Sequence, residues 1–487
     1  MPMDDKTFKQ FEEFIHSKSV AIIGTSSSAG YYWLRSFLDF GFPGKIYPVN
    51  PKIDEDLGLK FYKSLSEVPG DVDYAVLRVP ARIVPSVLDE CVAKNCKAIT
   101  IFTSGYSELG TEEGRQREQL ITEKIKSSPF RAFGPNCIGL ACPETGFAFR
   151  PDLKPNPGPI GFVSQSGGKA IDCYLAVVET QLGISKIFSY GNEADISSWE
   201  LVEYLHRDPK TQVIGIYIEG VRDGPRLRKA IADCATDKPV VVWKSGITEA
   251  GKRAVSSHSA ALAGSNDIWQ ALLRQTGAVS VDSFEQLINT TVTFLRCPPP
   301  PGKRVALIAI SGGAGVAGTD SLARHGFEIP RLSPNTIQSL SKYIKDVGTN
   351  IKNPVDMASS YFYPDNTVQT IRHVAEDKNI DAIIVEAAPH YVNFMANHMG
   401  MDNFATTYWN MMIEAGTYCV KVVHKPFFVA VPAIGYPLEN LATRNQFREG
   451  NLPVFATIAE AAEILRFIYE YYQRHPKTPV PPALELE

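Results

Sequence analysis

Three times along this chain a short apolar, β-branched run ends in a turn of small residues that opens a helix. The first is Ser19-Val-Ala-Ile-Ile-Gly24, followed by Thr25-Ser-Ser-Ser-Ala-Gly30. The second is Ile160-Gly-Phe-Val163, followed by Ser164-Gln-Ser-Gly-Gly168, and the third is Arg304–Ser311, followed by Gly312-Gly-Ala-Gly315. Further short apolar runs follow each turn: 44–50, 73–80 and 98–103, then 184–190, 213–219 and 239–244, then 382–386 and 426–431. Predicted helices at 84–95, 168–181, 197–206, 224–235 and 458–474 alternate with them. Strands alternating with helices of about 10 to 15 residues imply βαβ units and a parallel sheet. Right-handed crossovers then bring the loops after the strands to the carboxyl edge, where such sheets bind ligands. The expected fold class is therefore α/β, with three doubly wound parallel-sheet domains.

Proline marks the joints between them. Residues 149–159 hold four prolines, and Cys297-Pro-Pro-Pro-Pro-Gly302 can be neither helix nor central strand. The predicted domains are 1–148, 149–298 and 299–475, with a loose proline-rich tail at 476–487. A length of 487 residues suits three ordinary domains. A charged fraction of 21% and a net charge of −4 give no sign of nucleic acid as partner. The eight cysteines form no C-x-x-C pair and sit in apolar runs, which predicts buried, reduced thiols rather than a disulfide framework or a zinc site. The histidines show no H-x-x-x-H, so no metal site is expected. The acidic start Met-Pro-Met-Asp-Asp-Lys is unlike a signal peptide, and no apolar run reaches the ~18 residues of a membrane span. The expectation is a cytoplasmic protein.

Local motifs point to phosphate chemistry. Gly251–Ser265 reads as a loop of small residues around His258, leaving room for a phosphoryl group at the imidazole; an incidental histidine in a surface loop is the alternative. Ser164-Gln165-Ser166-Gly167-Gly168 enters a helix, so hydroxyls, N–H groups and the positive dipole end face an incoming anion. A plain tight turn fits the same residues, and Ser311-Gly-Gly-Ala-Gly315 carries the same two readings. Glu219 ends an apolar strand at the ligand edge, where a carboxylate orients an imidazole or faces solvent. Gly134-Pro-Asn136-Cys137 and Gly191-Asn192-Glu-Ala-Asp195 are polar turns after strands. The first strand's turn lacks G-x-G-x-x-G, and Asn50-Pro-Lys52 replaces the acidic residue that would bind a ribose. NAD is therefore disfavoured, and Lys52 suits a phosphate or solvent. No P-loop is present, so if His258 exchanges phosphate with a nucleotide, the nucleotide site is expected elsewhere, on another chain.

Taken together, the order of these motifs resembles an ADP-forming acyl-CoA synthetase α subunit, in the succinyl-CoA synthetase superfamily. They include Tyr217-Ile-Glu-Gly220, Lys244-Ser-Gly246, Ser257-His-Ser-Ala-Ala-Leu-Ala-Gly-Ser265 and Asn353-Pro-Val-Asp356. The resemblance implies a Rossmann-like CoA-binding domain followed by two flavodoxin-like, succinyl-CoA-ligase-type domains. It implies CoA contacts from Gly24, Thr25, Ser26, Ser27, Lys52, Val79, Pro80, Ser104 and Gly105. It further implies phosphate at 164–168, substrate contacts from Asn136, Gly191 and Asn192, a phosphohistidine at His258 and an orienting carboxylate at Glu219. An ATP-grasp β subunit, in an α2β2-type heteromer, would hold ATP or ADP and Mg²⁺. Acyl-CoA and phosphate would give acyl phosphate and CoA, and His258 would carry the phosphoryl group to ADP on a swinging loop. This sequence has Ser259-Ala-Ala where the family usually has Thr-Gly-Ala, a change expected to stiffen that loop. A non-catalytic, CoA-binding regulatory subunit of the same fold is the alternative, and the carboxylic acid is left open. Frequent rings at Phe188, Tyr190, Trp199 and 361–363 fit either an acid larger than acetate or core packing.

Overall fold

The computed structural model describes residues 2–258, 266–345 and 348–480. It divides into two compact units, Met1–Ile288 and Asn289–Glu487. After helix α1 (Asp5–Ile15), the first sheet is built from β1 (Ser19–Ile23), β2 (Lys45–Val49), β5 (Tyr74–Leu77), β6 (Ala98–Ile101) and β7 (Arg131–Phe133). A small hairpin, β3 (Glu55–Asp56) with β4 (Leu59–Lys60), stands apart from it. Helices α2 (Tyr32–Leu38), α3 (Val84–Ala93) and α4 (Glu112–Lys126) complete the layers. The strands are parallel, in the order β2-β1-β5-β6-β7. Ala21, Ala75, Leu77, Ile99 and Ile101 are fully buried, and they pack with Val84, Leu88 and Ile121 of the helices. Burial on both faces explains why these strands read as unbroken apolar runs rather than alternating ones.

The second sheet contains β8 (Gly139–Ala141), β9 (Pro157–Ser164), β10 (Ile184–Ser189), β11 (Val213–Ile218), β12 (Val240–Lys244) and β13 (Val279–Val281). Its order is β13-β12-β11-β9-β10-β8, parallel except for β8, an antiparallel edge strand on β10. Helices α5 (Gly167–Glu179), α6 (Ser198–Arg207) and α7 (Gly224–Ala235) cover it. The predicted helices at 168–181, 197–206 and 224–235 lie on these three elements. Helix α1 packs here as well: Phe8 and Phe11 lie 5.3 and 5.2 Å from the Tyr204 ring of α6. Beneath β10 the Lys186 ammonium meets Asp208 at 2.8 Å, both nearly inaccessible.

One reading of the sequence is corrected here. Gly251–Ser265 was expected to be loop from its start, but Glu249–His258 forms α8. The cause is local: Thr248 Oγ1 accepts from Gly251 N at 3.0 Å, satisfying a free N–H of the first turn. Glu249, Ala250, Lys252, Arg253 and Ala254 are good helix formers. Ser259–Ser265 lie outside the described residues. Helices α9 (Asn266–Thr276) and α10 (Phe284–Phe294) follow, and the division between the two compact units falls within α10.

The second unit holds β14 (Val305–Ala309), β15 (Val355–Asp356), β16 (Ala382–Glu386), β17 (Phe427–Ala430) and β18 (Val454–Phe455). They form a parallel sheet in the order β15-β14-β16-β17-β18, with α11 (Gly312–Arg324) leaving β14. Counted within each sheet, and leaving β8 aside, all three sheets share the strand order 2-1-3-4-5. That order puts a topological switch point beside the first strand of each, where helices leave in opposite directions and open a crevice. All eight cysteines are buried free thiols. No described helix is long and apolar enough to cross a membrane.

Candidate active site

At the switch point of the second sheet, β9 and β11 lie side by side, with Ser164 opposite Tyr217. The chain leaving β9 turns straight into α5, capped by Ser166, whose side chain accepts from Lys169 N at 3.4 Å. Gly167 and Gly168 carry no side chain to block that helix end, so its first N–H groups and positive dipole face the crevice. Gln165 joins this turn to its neighbour. Its Oε1 accepts from Glu219 N at 2.8 Å and Gly220 N at 2.9 Å, just beyond the end of β11. Glu219 is 7% exposed and accepts from the Tyr217 hydroxyl at 3.1 Å. Ser164 is turned inward and donates to Ser166 O at 2.7 Å. Lys244, opposite Ile218 at the end of β12, is also buried. Burial pulls its ammonium down to about 8, against the raising influence of Glu219.

Above these groups lies a cavity of about 320 Å³. Gln165, Ser166, Gly167, Gly168 and Glu219 line it, together with Asn136, Gly191 and Asn192. Two turns from different sheets are locked together there. Asn192 N donates to Pro135 O at 3.0 Å and Ala194 N to Gly134 O at 2.9 Å. Gly191 has φ +57°, and a Cβ on it would stand 2.3 Å from Pro135 O, so only glycine lets the turns approach so closely. The apolar wall comes from Tyr32, Phe102, Ile138 and Ile171. Of the rings noted in the sequence, Phe188, Tyr190 and Tyr361 are wholly buried, and Phe188 stacks on Phe133 at 5.9 Å.

The predicted CoA residues gather at the carboxyl edge of the first sheet. Gly24–Ser27 follow β1, Lys52 follows β2, Val79 and Pro80 follow β5, and Ser104 and Gly105 follow β6. Gly24 has φ +87°, and a Cβ there would stand 2.1 Å from Arg78 O. Thr25 is 2% exposed and its hydroxyl has no hydrogen-bond partner, a state that buried polar groups seldom keep without a ligand or water. Lys52 is exposed. Gly105 N donates to Glu108 at 2.6 Å. Tyr32 and Phe102, from α2 and the end of β6, connect this edge to the cavity wall.

His258 ends α8, but its side chain lies outside the described residues, as do Ser259 and Ala260. The Ser311–Gly315 turn of the second unit leads from β14 into α11. A Cβ on Gly312 would stand 3.0 Å from Asp356 Oδ2, and one on Gly315 3.4 Å from Pro354. Among the described residues no group of three or more acidic, histidine or cysteine side chains could hold a metal. Sequence reasoning missed Tyr32, Phe102 and Ile171, which look like ordinary core residues. It also missed the Gln165 acceptor role, which is visible only once β11 lies beside β9.

Residues 18–143 match the model of a CoA binding domain, and residues 157–294 that of the succinyl-CoA ligase like flavodoxin domain. An acetate–CoA ligase [ADP-forming] II of Archaeoglobus fulgidus is 33% identical over 485 residues, covering 96% of this chain and 68% of the relative. The α subunit of acetate–CoA ligase [ADP-forming] II of Pyrococcus furiosus is 33% identical over 374 residues, covering 76% of this chain and 81% of that subunit. Among solved structures, the dinucleotide forming acetyl-coenzyme A synthetase 1 of Ca. Korarchaeum cryptofilum, in complex with phosphate and ADP, superposes with a TM-score of 0.81. It shares 28% identity over 96% of this chain and 97% of that one. The helix end opened by Gly167 and Gly168, the buried carboxylate beside it and these relatives lead to one assignment: the chain belongs to the ADP-forming acyl-CoA synthetases of the succinyl-CoA synthetase superfamily.

Proposed function

We propose that this chain is the acyl-transfer subunit of an ADP-forming acid–CoA ligase, working with an ATP-grasp partner in an α2β2-type assembly. The observation that carries the reading is the shared cavity, where the amino end of α5 and Glu219 face each other beside the first sheet's ligand edge. The head of CoA docks on Gly24–Ser27, Lys52, Val79–Pro80 and Ser104–Gly105. Its arm passes Phe102 and Tyr32 into the cavity, which Asn136, Gly191 and Asn192 wall. Phosphate at Ser166–Gly168 attacks the thioester carbonyl, the carbon–sulfur bond breaks, and acyl phosphate and CoA form. The N–H groups at the helix end lie fixed around the phosphoryl charge, so little reorganisation accompanies the step.

His258 then attacks the phosphorus of the acyl phosphate, releasing the carboxylate and leaving the phosphoryl group on an imidazole nitrogen. Glu219 accepts the other ring N–H and so sets the attacking tautomer. ADP, held with Mg²⁺ on the partner, takes the phosphoryl group in a second transfer. Incubation with acetyl-CoA and ³²P-phosphate should give acid-labile, base-stable label that is lost in His258→Ala. A labelled His258→Ala variant would refute the phosphohistidine.

A further inference from the structure

The cavity contains an amide whose orientation is forced. Asn192 Nδ2 lies 2.7 Å from Glu108 Oε2 and 2.8 Å from Glu118 Oε2. Both acids come from the first sheet's side of the cavity: Glu108 from the short turn Ser107–Leu109, Glu118 from α4. An amide NH₂ has two hydrogens and a carboxylate oxygen only accepts, so both donors of Asn192 are committed and the amide cannot be flipped. The acids are anchored in turn. Glu108 Oε1 accepts from Gly105 N at 2.6 Å and Tyr106 N at 3.1 Å. Glu118 Oε2 also accepts from Ser107, and its Oε1 accepts from Arg222 at 2.5 Å. Glu108, Glu118 and Asn192 are all less than 10% exposed.

What remains is the Asn192 carbonyl oxygen. It has no hydrogen-bond partner among the described residues, is absent from the buried orphan atoms, and belongs to a residue that lines the cavity. The site therefore presents a fixed acceptor, with no donor on that side chain to spare. An ionised carboxylate or acyl phosphate has no hydrogen to give such an atom, and a phosphate dianion has a single O–H. The arm of CoA offers its amide N–H groups and its thiol. We infer that Glu108 and Glu118 are positioning residues that clamp Asn192 so that its Oδ1 accepts a hydrogen bond from the pantetheine arm. The same acids also hold the Gly105 loop, at the CoA-head edge, beside the Gly191–Asn192 turn of the second sheet.

This rests on the CoA reading of the first domain, and the test separates the two. Calorimetric titration of the whole chain with CoA, and with adenosine 3′,5′-bisphosphate, which carries the head without the arm, compares wild type with Asn192→Ala and Glu118→Gln. CoA should bind both variants about 3- to 10-fold more weakly, the worth of one hydrogen bond. The bisphosphate should bind all three proteins alike, which also reports that the variants remain folded. Unchanged CoA affinity in both variants, or an equal loss for both ligands, would overturn the clamp. A wild type that binds neither ligand would overturn the CoA reading beneath it.

Discussion

Gln165 carries the sharpest energetic prediction. The ladder of β11 ends at Ile218, and beyond it Glu219 N and Gly220 N both donate to the Gln165 side chain. Replacing Gln165 with Leu keeps the size and removes the acceptor. Each buried N–H left unpaired costs about 1–3 kcal/mol, so the pair together costs about 2–6 kcal/mol. The loss is local, at the joint between the phosphate turn and the carboxylate. Hydrogen exchange read by mass spectrometry is therefore the suitable assay. At the lower bound of about 2 kcal/mol, the amides of 219 and 220 should exchange roughly 30-fold faster, since each 1.36 kcal/mol is tenfold. Amides in the middle of β11, such as Ile216, should be unaffected. Gln165→Glu keeps an acceptor and should retain protection, while placing a second acid beside Glu219. Unchanged exchange at 219 and 220 in Gln165→Leu would refute the view that this one oxygen frames the carboxylate.

Three further outcomes follow from the same geometry. Gly191→Ala puts a Cβ 2.3 Å from Pro135 O at φ +57°, so the turn must move; a shift of about 1 Å at a reacting site can cost about 10²-fold, measurable as kcat/KM for CoA-thioester formation. Lys186→Met strands the buried Asp208 carboxylate and should destabilise the first unit by about 3–5 kcal/mol in urea unfolding. Burial alone would raise the Asp208 carboxyl, but hydrogen bonds from Lys186 and Thr211 outweigh it and hold it below its usual range. The pair's contribution is thus complete above the unfolded carboxylate pKa and is lost as pH falls through the folded one, an acid limb that Lys186→Met should flatten. Lys244 acts in the same sense, in an alkaline window. Burial lowers its folded pKa to about 8, so the unfolded chain binds the extra proton between about 8 and the free-lysine value, and stability gains with rising pH in that window. The gain should vanish in Lys244→Met, read from denaturation midpoints at pH 7 to 10.

The features that the sequence made legible are those written locally. A β-branched run stopped by Gly24, by Ser164-Gln-Ser or by Ser311-Gly-Gly announces a strand turning into a helix, and the carboxyl-edge rule then places 164–168 and Glu219 at the same edge of the sheet. The features that stayed hidden depend on distant partners. The Asn192 clamp joins residues 84 and 74 positions apart. Strand β8 is only Gly139-Leu-Ala141, too short for any periodicity, and becomes a strand because β10 offers it an open edge. Helix α8 was misread because its serines and glycine look like loop, whereas the Thr248 cap and the run Glu249–Ala254 decide the matter. The cavity's apolar wall was invisible because Tyr32 and Phe102 differ from core rings only in where the fold puts them.

Strand β8 has a mechanical consequence. The chain leaves the first sheet at Phe133, at the end of β7, and joins the second at Gly139, so five residues, 134–138, make the covalent bridge between the two. Asn136, Cys137 and Ile138 of that bridge are also cavity wall. A shift of one sheet relative to the other would therefore move Asn136, which belongs to the bridge and to the cavity wall at once. The connection from Ala141 to Pro157 is longer and contributes no residue to that wall.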